Sequence, residues 1–471
     1  MIHFGTGGFR GVIADDFTKD NLQRIAEGIV TLYHETEAKK PILVGYDFRF
    51  CSENAAKWMA CVLAGNHIPV LLSDTPSPTP AVMEESKRLG HEFGIMITAS
   101  HNPYWFNGVK LFQKEGMDAE KALTDHLEEL IAEVKEIHSM DLDTALKEGL
   151  VTYYAPLKPF LDNIQKFVDA EAVRKGRKLK VLADPIFGTG ALTLKETLNR
   201  MGIEDVTVLH GERDPYFHGL LPNPIEKNME ADRKVLLEGK YDFCLGTDSD
   251  CDRLSILDEK GNYVDANEIM ACIYYYLVKY KGMRGDIVKN LATSNLIDAV
   301  AVKLGYQCHE VDVGFKNISQ GIKDHDALLG GESSGGLTLR GYIYGKDSTF
   351  ATALFAEMVS VMDKPVSSIV EEVRDFASFH KAMLEDSTPY KDKEKLLAVL
   401  KEKDPDFQRT IVKKVLYPTN IKYYFENGDW ALVRFSGTEP LIRLFYETEE
   451  ENRSIAKEEI QTMKSFLIQE D

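Results

Sequence analysis

The sequence predicts an α/β protein of four domains: three α/β units with the rhythm of parallel layers, then a smaller C-terminal α+β unit. Three observations predict it. At 471 residues the chain exceeds what one hydrophobic core organises. Apolar extended runs alternate with helical patterns, and that rhythm restarts twice. After about residue 375 the character changes to charged helix and then paired strands. The expected domains are 1–153, 154–257, 258–375 and 376–471.

In the first unit PILVGYD at 41–47, IPVLLSD at 68–74 and FGIMITAS at 93–100 read as strands, with helices over 52–65 and 80–89 between them. Charged helical sequence over 119–150 and two prolines between Tyr153 and Pro159 mark the first boundary. The second unit holds KLKVLADP at 178–185, ending in a Phe187-Gly188-Thr189-Gly190 turn, and YDFCLGTD at 241–248. The third holds DIVKNLATS at 286–294, HEVDVGF at 309–315, LLGGESSGG at 328–336 and a helix over 348–362. In the last, IKYYFEN and ALVRFSG flank Asn427-Gly428, a strong hairpin signal. No exact internal repeat is visible.

Composition narrows the function. Hydrophobic residues make up 44% and charged residues 28%, values that argue against disorder. A formal net charge of -19 argues against nucleic acid or an anionic membrane as partner, and leaves an anionic small substrate only where a cleft gathers basic side chains. The six cysteines lack C-x-x-C spacing and read as buried free thiols of a reducing compartment. With no signal-like start and no apolar run of membrane-spanning length, the expected location is cytoplasmic.

Thr98-Ala99-Ser100-His101-Asn102-Pro103 places a hydroxyl and an imidazole at a strand end, where open α/β sheets bind ligands. A helix-capping turn is the plainer reading of Ser-His-Asn alone. Asp248-Ser249-Asp250-Cys251-Asp252-Arg253, if extended, points three carboxylates the same way, and such carboxylates repel unless a cation joins them. Hard oxygens suit Mg²⁺. An EF-hand is disfavoured because the glycine and distal Glu are missing; a solvated acidic turn stays open.

Gly331-Glu332-Ser333-Ser334-Gly335-Gly336 offers a carboxylate and hydroxyls suited to sugar hydroxyls, or a plain turn. Arg434-Phe435-Ser436-Gly437-Thr438-Glu439-Pro440 with Arg443 supplies the donors a phosphate requires, or a solvated strand face. Gly5-Thr6-Gly7-Gly8-Phe9-Arg10-Gly11 is no dinucleotide fingerprint, since a preceding strand is lacking and Arg10 replaces the third glycine. It reads as an Arg-bearing glycine loop near phosphate.

In this order the five segments resemble the α-D-phosphohexomutase superfamily, from Gly5 to Arg443. The resemblance implies a four-domain architecture around a central cleft, with mixed sheets in its three α/β domains, and an isomerase that moves phosphoryl groups through phospho-Ser100. It implies Mg²⁺ held by Asp248, Asp250, Asp252 and a phosphoserine oxygen. Arg10 and Arg253 would approach the transferred group, and Lys110 and His101 would serve proton transfer. Glu332 and Ser334 would read sugar hydroxyls, while Arg434, Ser436, Gly437, Thr438 and Arg443 would hold the non-reacting phosphate.

Gly314-Phe315-Lys316 and the histidine-free sugar loop look like the glucose-phosphate branches. The implied activity is a phosphoglucomutase acting through glucose 1,6-bisphosphate, which is also its activator, with Lys316 or His101 in place of the missing histidine. Phosphomannomutase, a dual-specificity mutase and a bisphosphate synthase remain alternatives within that chemistry. A non-enzymatic sugar-phosphate sensor would not need Ser100 and the aspartates, and Cys251-Asp252 breaks the haloacid phosphatase pattern. Hexose phosphate is the expected partner of a monomer or homodimer.

Overall fold

Ile42–Tyr46 and Phe93–Ile97 are buried at every position, as strands covered on both faces must be. In the computed structural model, which describes residues 2–5, 7–436 and 440–471, they form the middle of the first sheet. Its strand order is Phe4–Gly5, Gly8–Val12, Phe106–Gln113, Phe93–Ile97, Ile42–Tyr46, Val70–Ser73, Val151–Tyr154, with Met117–Asp118 paired to Phe106–Gln113. The central strands run parallel, and Gly8–Val12 and Phe106–Gln113 turn antiparallel, which makes the sheet mixed. The glycine-rich N-terminus is therefore not a loop at Arg10. A two-residue strand precedes, and Arg10 sits within Gly8–Val12, opposite Gly108.

The second sheet has the order Asp205–Val208, Lys180–Asp184, Phe243–Thr247, Leu254–Asp258, Tyr263–Val264. Its last hairpin carries it beyond the residue-257 edge expected from the sequence. In the third, Ile287–Asn290 lies parallel to Cys308–Val311 and Leu329–Gly331, and Leu337–Leu339 adds an antiparallel edge. The helix Ser348–Met362 is buried except at Val361 because it packs on two sides. Thr349 reaches Thr193 Oγ1 at 2.9 Å, and Ser360 O accepts from Arg177 N at 2.9 Å, so a helix placed in the third unit by sequence also packs on the second. One apolar core spans both units.

The fourth sheet is wholly antiparallel, ordered Lys381–Pro389, Leu441–Glu449, Trp430–Phe435, Asn420–Phe425, Ile411–Leu416. Gly428 (φ 75°) turns the hairpin between Asn420–Phe425 and Trp430–Phe435, a backbone angle that glycine adopts without a Cβ penalty. This domain docks on the third through Trp430, Leu432 and Phe445 against Leu291 and Ala292, and through buried Lys422 on Glu310 Oε2 at 2.5 Å. The six cysteines are all free. Burial holds for Cys244, Cys251 and Cys272, whereas Cys51, Cys61 and Cys308 are only half-buried.

Candidate active site

The carboxyl ends of strands from the first three sheets point at one cleft, delivering Asp47 and Ser100 from the first, Asp248 from the second, and Asn290 and Glu332 from the third. Ser100 follows strand Phe93–Ile97 at φ 50°, a left-handed backbone that costs a non-glycine residue about 1 kcal/mol or more. The buried Arg49 guanidinium holds it there. Nη2 donates to the carbonyls of Ser100 and of Asn102 (2.6 Å), while Nη1 donates to those of Pro103 (2.9 Å) and Phe106 (3.1 Å). Ser249 Oγ adds a 2.5 Å bond to the Ser100 carbonyl.

So presented, Ser100 Oγ donates to Asp248 Oδ2 at 2.9 Å and lies 3.3 Å from His101 Nδ1. His101 thus faces the serine hydroxyl through Nδ1, with Nε2 turned to Arg253 Nη2 at 3.5 Å. Burial first, then the charges of Arg253 and Arg10, holds His101 neutral, well below the usual histidine range.

The acidic loop closes as a turn and does not run extended. Cys251 sits at φ 61° and its N–H returns to Asp248 O at 3.0 Å. The carboxylates converge nonetheless, with one oxygen of each within 4.8 Å of the others. Asp248 Oδ1 accepts from Asp252 N (2.9 Å) and Arg253 N (3.1 Å). Asp250 Oδ2 accepts from Thr79 Oγ1 (2.6 Å) and Lys110 Nζ (2.7 Å), and Asp252 Oδ2 from Lys110 Nζ (3.0 Å). Asp250 Oδ1 and Asp252 Oδ1 remain buried without a hydrogen bond.

That pattern fits a divalent cation. Lys110 occupies only the Oδ2 side, leaving two orphaned oxygens and the serine-facing Asp248 Oδ2 as a hard-oxygen set. Burial, then the Asp252 and Asp250 charges, pushes Asp248 well above the usual carboxylate range. Against the same burial, Lys110, Lys346 and Arg253 hold Asp252 well below it, and Asp250 and Asp252 keep Lys110 charged.

Arg10, Ser100, Lys110, Asp252 and Lys346 line one cavity of about 50 Å³. Arg10 Nη1 donates to Asn102 Oδ1, and a Cβ on Gly7 would stand 2.9 Å from Arg10 Nη2, so glycine there keeps the guanidinium's place. The cavity shares Gly7, Lys110 and Asp118 with a cleft of about 550 Å³ that Lys316 and Arg434 also line. Arg434 and Arg443 are directly opposed across adjacent strands and share a sheet face. Arg443 pairs with Glu385 at 2.9 Å, and Ser436 is buried beside them. Gly437 and Thr438 lie outside the described residues. Glu332 accepts Ser334 Oγ at 2.7 Å and faces Lys346 Nζ at 3.8 Å.

Family models cover most of the chain. The phosphoglucomutase/phosphomannomutase alpha/beta/alpha domains I, II and III match residues 1–138, 158–261 and 265–376, and the C-terminal domain of the same family matches 389–462. The chain belongs to the α-D-phosphohexomutase superfamily. It is similar to the phosphoglucomutase/phosphomannomutase of Thermococcus kodakarensis, 28% identical over 96% of this chain and 95% of that one. It is as similar to the phosphoglucosamine/phosphogalactosamine mutase of Sulfurisphaera tokodaii, 28% identical over 95% and 96%. A solved structure of a protein from Thermus thermophilus superposes with a TM-score of 0.84 at 26% identity, over 98% of this chain and 99% of that one.

The cleft of this phosphohexomutase also holds residues that sequence reading passed over. Lys346 bridges Asp252 Oδ2 (3.2 Å) and Glu332, and its place between Gly345 and Asp347 carries no motif. Thr79 anchors Asp250 from across a domain boundary. Arg49 was detectable only as a charged pair, Asp47 and Arg49, ending an apolar strand, where a buried charge needs a partner.

Proposed function

We propose that this phosphohexomutase interconverts glucose 1-phosphate and glucose 6-phosphate through phospho-Ser100 and a glucose 1,6-bisphosphate that turns over between two halves of the cycle. The observation that carries the reading is the Ser100 hydroxyl, 2.9 Å from Asp248 Oδ2 and beside two buried, unpartnered carboxylate oxygens. Mg²⁺, held by Asp248, Asp250 and Asp252, would neutralise charge on the phosphoryl oxygens.

In the dephospho state Asp248 keeps Oγ aimed, and the neutral His101 takes the serine proton at Nδ1 as Oγ regains a phosphoryl group. Arg10 and Arg253 stabilise the charge that spreads over the transferred group. Lys346, which lines the cavity, delivers and recovers the proton of the sugar hydroxyl, and Glu332 with Ser334 orients that sugar. Arg434, Ser436, Gly437, Thr438 and Arg443 hold the distal phosphate.

Glucose is favoured by Lys316, which lines the cleft near the Gly314 cap of its helix. A dual glucose/mannose mutase is the second reading, favoured by the name of the Thermococcus relative. Parallel kcat/KM values for glucose 1-phosphate and mannose 1-phosphate, with Mg²⁺ and the matching bisphosphate, decide between them. Preference for glucose that Lys316→Ala erases supports the proposal; equal values establish the second reading.

A further inference from the structure

A second group of metal-type ligands, made of residues other than those of the acidic turn, lies in the second domain. Asp184 ends strand Lys180–Asp184, His210 follows strand Asp205–Val208 at φ 43°, and Asp232 comes from helix Glu230–Gly239. One ligand atom of each lies within 4.8 Å of the others. His210 Nδ1 stands 2.8 Å from Asp184 Oδ2, and Asp184 Oδ1 is used by Ile186 N at 2.7 Å, which fixes that carboxylate in the cluster.

Asp232 is the independent observation. Its side chain is 1% exposed, its helix packs beside Leu182, Met229, Leu236 and Cys244, and Oδ1 is buried without a hydrogen bond. A polar group in such a place is costly unless something binds it. No Lys or Arg among the described residues pairs with Asp232 or Asp184. The two buried carboxyls share one site, with the His210 imidazole as the basic group beside them.

We propose that Asp184, His210 and Asp232 bind a first-row divalent transition ion, of the Zn²⁺ or Mn²⁺ class, as a structural site separate from the catalytic metal. One imidazole and two carboxylates suit such an ion better than Mg²⁺, which the all-oxygen acidic turn suits. The ion ties the helix to two strand ends. It also braces the Pro185–Gly188 turn, whose Phe187 N–H bonds His210 O at 2.9 Å and whose successor Thr189 N–H bonds Ser249 O at 2.9 Å. Ser249 in turn holds the Ser100 carbonyl, so the ion supports the serine loop without touching it.

The experiment incubates metal-free full-length protein with Zn²⁺, and separately Mn²⁺, in excess Mg²⁺ that keeps the acidic turn filled. Ions retained per chain and the melting temperature are then measured for wild type, Asp232→Leu and His210→Ala. The expected result is one ion retained by wild type and none by either variant, a rise in melting temperature with ion for wild type only, and an imidazole ligand in the Zn X-ray absorption spectrum. Asp232→Leu, which fills an apolar surrounding, keeps the fold. Equal retention in all three proteins, or none in wild type with a protonated-carboxyl infrared band that Asp232→Leu removes, overturns the proposal: the carboxyls then only share a proton.

Discussion

Replacing Arg49 by methionine tests how the serine loop is held. The guanidinium is fully buried and is the donor for four carbonyls, those of Ser100, Asn102, Pro103 and Phe106. Its Nε lies 3.5 Å from Asp47 Oδ2, an oxygen with no other partner. Breaking such a buried pair costs about 3–5 kcal/mol, because the remaining charge is stranded. Asp47 is already raised by burial, against Arg49's pull, so without Arg49 it takes a proton and the loss falls toward the lower figure. The left-handed Ser100 would relax at the same time, and a displacement of about 1 Å at the reacting atom costs about 10²-fold in rate. Urea unfolding and bisphosphate-primed turnover read the two effects. Arg49→Met should lose both. Adding Asp47→Leu should restore most of the stability but none of the rate, since the carbonyls still lack their donor. Wild-type unfolding midpoint and turnover in Arg49→Met would refute the reasoning.

Ser100→Ala should abolish mutase activity with the unfolding profile intact, and turnover at the wild-type rate would remove Ser100 from the chemistry. Asp250→Asn should raise the Mg²⁺ concentration for half-activity at least tenfold; an unchanged metal titration would count against the acidic turn. Arg443→Ala, losing a hydrogen bond to a charged group, should weaken substrate binding by about 1.5–3 kcal/mol, which an unchanged Michaelis constant would contradict. Asp347, buried under Tyr342 (2.6 Å) and raised by burial to about 7, keeps a proton in the folded state that the unfolded chain loses near pH 4. The folded state therefore binds more protons between about pH 4 and 7, and stability falls as pH rises through that window, by at most about 1.4 kcal/mol per unit. Asp347→Asn should flatten that slope in urea unfolding at a series of pH values, and parallel profiles would refute it.

The sequence made the strands legible where both faces are buried, as at Ile42–Tyr46 and Phe93–Ile97, because apolar runs between turn signals leave little choice. The hairpin at Asn427-Gly428 and the helix over 348–362 were equally readable. What was not readable was which sheet an element joins: Ser348–Met362 is buried on nearly every side, so its periodicity names no partner, and Tyr263–Val264 is too short to signal. The convergence of Asp248, Asp250 and Asp252 was legible from spacing although the backbone reason differs, since a turn at Cys251, rather than an extended loop, brings them together. Lys346 and Thr79 were not, because their roles depend on contacts across domains that no local pattern encodes. Glycine-rich sequence around Arg10 reads as a phosphate-facing loop; the strand that carries Arg10 instead aims the side chain into the same cavity.

The most direct test of the account is transfer of label from glucose 1,6-bisphosphate bearing ³²P to the wild-type protein in Mg²⁺, followed by peptide mapping. The account predicts label on the peptide containing Ser100, chased off by unlabelled glucose 1-phosphate at the rate of turnover. Turnover without label on Ser100, or label that the sugar phosphate does not remove, would contradict it.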